Sequence, residues 1–178
     1  MSARDMSSKL PYSYESITLG LTCLSDLELC QKVSDGGKSK IIRFSLKGKE
    51  LWDKTKDFLI DPVEKRIYCD SLVTEQKFAQ CNINALSHYT WLNPDHSQMF
   101  MMSKKELQSL IAEKALHNMN EYDGDVMIEA WKYPIVSNRD DNNEWVDKLS
   151  LAISLREDND PRVEGEIERL INEIEWKD

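Results

Sequence analysis

The chain has 178 residues, 40% of them hydrophobic, with 23 Lys and Arg against 32 Asp and Glu and a formal charge of −9. That length allows one or two small domains with a real core, and the composition excludes a disordered chain. No apolar run approaches the ~18 residues of a membrane helix and the N-terminus has no signal-peptide core, so a cytoplasmic protein without a membrane role is expected.

A short helix is predicted over 2–10, capped by Ser2 with Asp5 three residues on, and stopped by Pro11. Ser13 caps a second helix over 14–26, with Ile17, Leu21 and Leu24 on one face. Leu27 to Val33 reads as extended, Asp35-Gly36-Gly37 as a hairpin turn, and 40–46 as the return strand. An amphipathic helix over 49–60 offers Leu51, Trp52, Phe58 and Leu59 for packing, and Asp61-Pro62 breaks it. A short strand at 66–69, a helix at 82–92 and a strand at 97–102 follow. Ser103 and Glu106 form a capping box for a helix to about Met119, with Leu107, Leu110 and Ile111 inward. Asp123-Gly124 turns into a strand over 126–133, and 137–144 is a polar loop. A helix over 149–155 precedes a last one, which Asp160 caps ahead of Pro161 and which carries a Val163, Ile167, Leu170, Ile171 and Ile174 stripe.

The charge is unevenly spread. Residues 1–60 sum to +2, residues 61–178 to −11, and 32–56 alone to +5. Such asymmetry points to a nucleic-acid or acidic-surface contact. The four cysteines and three histidines show no paired short spacing, so neither a metal site nor a cofactor is expected. Cys23 and Cys30 read as small core residues with free thiols, and the five tryptophans as core and interface anchors.

Residues 3–46 resemble the DNA-binding half of a winged helix-turn-helix regulator of the MarR-like type. Ala3–Leu10 match the support helix, Pro11-Tyr12-Ser13 the turn, Tyr14–Leu24 the recognition helix, and Gly36–Lys40 the wing tip, with Lys47–Trp52 as the linking helix. The resemblance implies a DNA-facing set of Ser13, Tyr14, Glu15, Thr18, Leu19 and Thr22, with Lys38, Lys40 and Arg43 on phosphates. It starts at the support helix, without the helix that precedes it in such domains. Ile17, Leu21 and Leu24 are therefore expected to lack part of their cover, to be made good by an upstream extension, a later helix or a second subunit. From Pro62 on, Lys65–Tyr68, Asn84–Thr90 and Asp158–Val163 look similar to C-terminal domains of bacterial winged-helix proteins, including antitoxins of the abortive-infection type.

An enzyme is not expected. Asp125, Glu129 and Lys132 come nearest to a metal-dependent nuclease pattern, but that chemistry wants Glu and Lys two apart on a strand, and here they are three apart. His88, beside Tyr89 and Trp91, reads as a partly buried structural histidine. No Walker loop, nucleophile elbow or dinucleotide fingerprint is present.

The expected architecture is α+β. A winged helix-turn-helix segment over 1–60 leads into an acidic α+β domain over 61–178 for sensing, dimerisation or interaction. The expected function is a transcriptional regulator that binds double-stranded DNA as a homodimer and occludes an operator. The alternative is an acidic protein-binding module, an antitoxin or immunity-type inhibitor, whose negative surface covers a basic partner.

Overall fold

Two capping boxes set helix starts where the sequence places them. Ser2 Oγ accepts from the Asp5 N–H and the Asp5 carboxylate from the Ser2 N–H, at 3.2 and 2.9 Å, opening α1 (Ala3–Lys9). Ser103 and Glu106 do the same for α5 (Lys104–Ala112), at 3.2 and 2.7 Å. Each box satisfies donors that the first helical turn leaves without an intrahelical partner. The computed structural model describes residues 1–10, 12–34, 36, 40–134 and 144–176. The polar loop expected at 137–144 lies almost wholly outside them.

The fold is mixed α+β and divides into two compact units. One comprises Met1–Phe58 and the C-terminal residues from Glu175; the other is Leu59–Ile174.

In the first unit, Ser13 Oγ accepts from the Ser16 N–H at 3.1 Å and starts α2 (Tyr14–Asp26). The chain then turns through Glu28, whose φ is +59°, so extension begins at β1 (Cys30–Ser34) and not at Leu27. β1 pairs antiparallel with β2 (Lys40–Phe44). The far edge of β2 is also used: Ser2 bridges Ile41, and the Ile42 N–H donates to the Met1 carbonyl at 2.9 Å.

Ile17, Leu21, Cys30 and Ile42 form this unit's core, with Ala3, Met6 and Leu24 packed on it. The stripe expected to lack cover thus buries Ile17 and Leu21 under α1 and the hairpin, while Leu24 stays half-buried. Next comes α3 (Gly48–Thr55), which buries Trp52 and gives way to a 3₁₀ turn at Lys56–Phe58. That turn corrects the expected helix to residue 60: Phe58 and Leu59 point to solvent.

The second unit is built on a four-stranded sheet in the order β3 (Val63–Cys69), β8 (Val126–Trp131), β6 (Gln98–Ser103) and β5 (Ala79–Gln80). β8 is antiparallel to β3 and parallel to β6, and β5 is antiparallel to β6. All six β8 residues are buried, as befits a central strand covered on both faces. Ile67, Cys69, Met102, Val126, Ile128 and Ala130 meet Leu107 and Leu110 of α5 on one side. Met99, Met101, Met127 and Trp131 face the other side. There they meet α4 (Asn82–Tyr89), α6 (Lys148–Ser154) and α7 (Pro161–Asn172) through Leu86, Leu151, Val163 and Leu170.

The two-stranded pair β4 (Ser71–Leu72) and β7 (Leu116–His117) was not expected. It cuts α5 short at Ala112 and leaves Ile111 exposed. Gly124 is required at its turn, because a Cβ there would sit 2.5 Å from the Cys69 carbonyl oxygen.

Among the described residues no helix is long and apolar enough to cross a membrane.

Candidate functional site

The residues expected to face DNA do not all reach one surface. Ile17, Leu21 and Leu24 point α2 inward, so Glu15, Leu19 and Thr22 lie on the opposite, exposed face, with Leu19 67% exposed. Tyr14 flanks them, also exposed. The hydroxyls are less available than their residue types suggest. Ser13 Oγ caps the helix, and Thr22 Oγ1 donates to the Thr18 carbonyl at 2.9 Å. Thr18 Oγ1 is buried, so it does not present a donor to a groove.

On the hairpin, residues paired directly across the strands share a face. Cys30 opposite Phe44, Lys32 opposite Ile42 and Ser34 opposite Lys40 share the face that packs on α2, since Cys30 and Ile42 are core. Gln31 opposite Arg43 is on the reverse face. Lys40 is therefore on the side of α2, and Arg43 is not. Lys38 lies outside the described residues.

Sequence reasoning missed Lys32. Its Nζ donates to Thr22 Oγ1 at 3.5 Å, which brings a cation onto the outward face of a helix that has no Lys or Arg of its own. The signal was the odd-even alternation of β1: Cys30 is apolar and inward, so Lys32 must share its side.

A second constellation lies inside the acidic unit. Glu129, fully buried in β8, is the one carboxylate in an otherwise apolar strand, and three donors converge on it. Arg66 Nε and Asn82 Nδ2 donate to Oε1 at 2.9 and 2.8 Å, and Trp131 Nε1 donates to Oε2 at 3.0 Å. Arg66 stands directly opposite Glu129 in the strand register, and its Nη2 donates to the Ser154 carbonyl at 3.4 Å. Asn82 adopts a φ of +54° at the start of α4 to make its contact. Burial lowers the Arg66 pKa, but the charge and hydrogen bond of Glu129 outweigh it, so the guanidinium is held more firmly protonated than usual. Burial pushes the neighbouring Cys81 thiol well up, and Glu129 pushes it further. That thiol is kept neutral, the opposite of an activated nucleophile.

The arrangement ties β3, β8, α4 and α6 together. The nuclease-like spacing resolves accordingly: Glu129 is turned into the core, Asp125 is exposed ahead of β8, and Lys132 Nζ donates to the Asp61 carbonyl at 3.0 Å. Among the described residues no group of three or more His, Cys, Asp and Glu side chains is placed to hold a metal ion.

Two further expectations change. His88 is exposed and stacks on Trp145, with ring centroids 4.2 Å apart and planes 3° from parallel. Cys23 is exposed, whereas Cys30, Cys69 and Cys81 are buried.

No protein-family model matches the chain, and no curated protein and no solved structure matches it.

Proposed function

We propose that the first unit binds double-stranded DNA and that the chain acts as a transcriptional regulator, as a homodimer that occludes its operator. One observation carries this proposal. α1 and α2, four residues apart in the chain, are followed by a basic strand pair whose Lys32 reaches the outward face of α2. A helix exposed on one face and flanked by strand lysines suits the major groove and its bordering phosphates. With Thr18 Oγ1 buried and Thr22 Oγ1 engaged by the Thr18 carbonyl and Lys32, Tyr14, Glu15 and Leu19 remain for base edges, and affinity rests mainly on phosphates. Fluorescence anisotropy of the intact chain on random and genomic duplexes at low salt tests this. Binding that weakens steeply as salt rises is expected, and no binding at low salt refutes it.

A second function, an acidic protein-binding module, is favoured by the other unit. Leu59–Ile174 contains twelve Lys and Arg against twenty-two Asp and Glu, a net charge of −10. Such a surface attracts basic partners and repels nucleic acid.

A further inference from the structure

α2 holds no Lys, Arg, Asn or Gln, the side chains that reach purine edges through paired hydrogen bonds. At its start the Ser13 and Ser16 hydroxyls meet at 3.1 Å, and Thr22 Oγ1 donates to the Thr18 carbonyl. The outward face of its N-terminal half therefore offers a carboxylate and an apolar branch. Glu15 and Leu19 are both exposed and stand four residues apart, which places them one turn apart on the same side. Among the described residues the Glu15 carboxylate has no hydrogen-bond or ion-pair partner. Glu15 also suits the positive end of the helix, in its first turn, but that role chooses no base.

The major groove gives these two groups different targets. A carboxylate only accepts, and cytosine presents the N4 donor with no acceptor on its own base beside it. Adenine N6 also donates, but N7 stands next to it and repels a carboxylate, while guanine and thymine present acceptors. Leu19 has no polar atom, and its match on a base edge is the thymine C5-methyl. Glu15 acts against other sequences as well as for cytosine. Beside the wrong base pair its charge is stripped of water and left unpaired, close to phosphates. Lys32 and Lys40, on the side of α2, supply the attraction that holds the helix in place. Four helical residues span about 6 Å and successive base pairs are about 3.4 Å apart, so the two bases lie one or two steps apart.

We propose that Glu15 and Leu19 set the sequence preference of α2, selecting a cytosine and a thymine one or two steps apart in the major groove. The assignment rests on DNA binding by the first unit and names the class of sequence that unit takes.

The test is selection from randomised duplexes by the intact chain at low salt, followed by anisotropy titrations on the selected duplex. Enrichment of a cytosine and a thymine at that spacing is expected. Glu15→Gln should move the cytosine position to adenine, by roughly tenfold, because an amide pairs with N6 and N7 together. Replacing the thymine by uracil removes only the methyl group. It should weaken binding by the parent chain about fourfold and leave binding by Leu19→Ser unchanged. Both side chains are exposed, so both variants should keep the parent's circular dichroism. If the chain binds duplexes but Glu15→Gln keeps the parent's preference, or uracil binds as well as thymine, base selection by this pair is overturned and DNA binding stands. If the chain binds no duplex at low salt, DNA binding falls and base selection falls with it.

Discussion

Lys32 and Thr22 meet at 3.5 Å, nitrogen to hydroxyl oxygen, and join β1 to the outward face of α2. The contact divides the basic residues of β1 and β2 into two groups. Lys32 and Lys40 share the side of α2, and Arg43 faces away. If α2 enters a groove, the first group lies within reach of its phosphates. Lys32→Ala is therefore expected to weaken DNA binding more than Arg43→Ala. Competition titrations on one duplex at fixed salt measure the difference.

Glu129 makes a different prediction, about stability. A buried carboxylate is costly, and here the cost is offset only because Arg66, Asn82 and Trp131 all donate to it. Glu129→Ala strands three donors and should destabilise the second unit by about 3–5 kcal/mol. Arg66→Ala leaves the carboxylate without its cation and should cost a similar amount. Urea unfolding followed by tryptophan fluorescence checks both. A loss below about 1 kcal/mol for either variant would show that the cluster is not structural.

How much of this could be read beforehand depends on the range of the interaction. Ser2, Ser13, Ser103 and Asp160 each cap the helix that their sequence announces, because a cap is a contact over two or three residues. The Glu129 cluster was legible only in part. A lone Glu in Val-Met-Ile-Glu-Ala-Trp signals a buried charge, but its partner Arg66 lies 63 residues away. Strand pairing decides that contact, and no local pattern encodes it. The sequence predicts α5 too long for a related reason. Its apolar spacing continues past Ala112, but Leu116 is drawn into pairing with Leu72. The apolar sequence neighbours of His88 predict a partly buried ring, yet it lies exposed on the outer side of α4.

The thiols should separate cleanly. Burial raises the pKa of Cys30, Cys69 and Cys81, whereas Cys23 is exposed on α2. A thiol reagent added to the native chain is expected to modify Cys23 alone, with the other three reacting only on unfolding. Mass spectrometry of the labelled peptides reads the result. Rapid labelling of Cys81 in the native chain would contradict its burial against Glu129.

Acid should weaken two helix starts. Hydrogen bonds from the Ser2 backbone and hydroxyl hold the Asp5 carboxyl below the usual carboxylate range, and Arg162 does the same for Asp160. A depressed folded pKa stabilises above the unfolded value, near 3.9, and that stabilisation is lost as pH falls through the folded value. Asp5→Ala and Asp160→Ala should therefore be less stable than the parent chain at pH 7, with the gap narrowing below about pH 4. Urea midpoints at the two pH values measure it.

Gly124→Ala is expected to destabilise the second unit by about 1–3 kcal/mol, since the added methyl meets the backbone at Cys69 and neither side can move freely. Thermal melts of the single variant are enough to check this.

The most direct test of DNA binding by the first unit is the slope of log K against log salt on duplex DNA. It should be measured for the parent chain and for the double variant Lys32→Ala, Lys40→Ala. Each phosphate contact contributes about −0.9 to the slope, so the double variant should bind more weakly with a slope shallower by about 1.8. An unchanged slope, or no binding by the parent chain at about 50 mM salt, would contradict DNA binding through this surface.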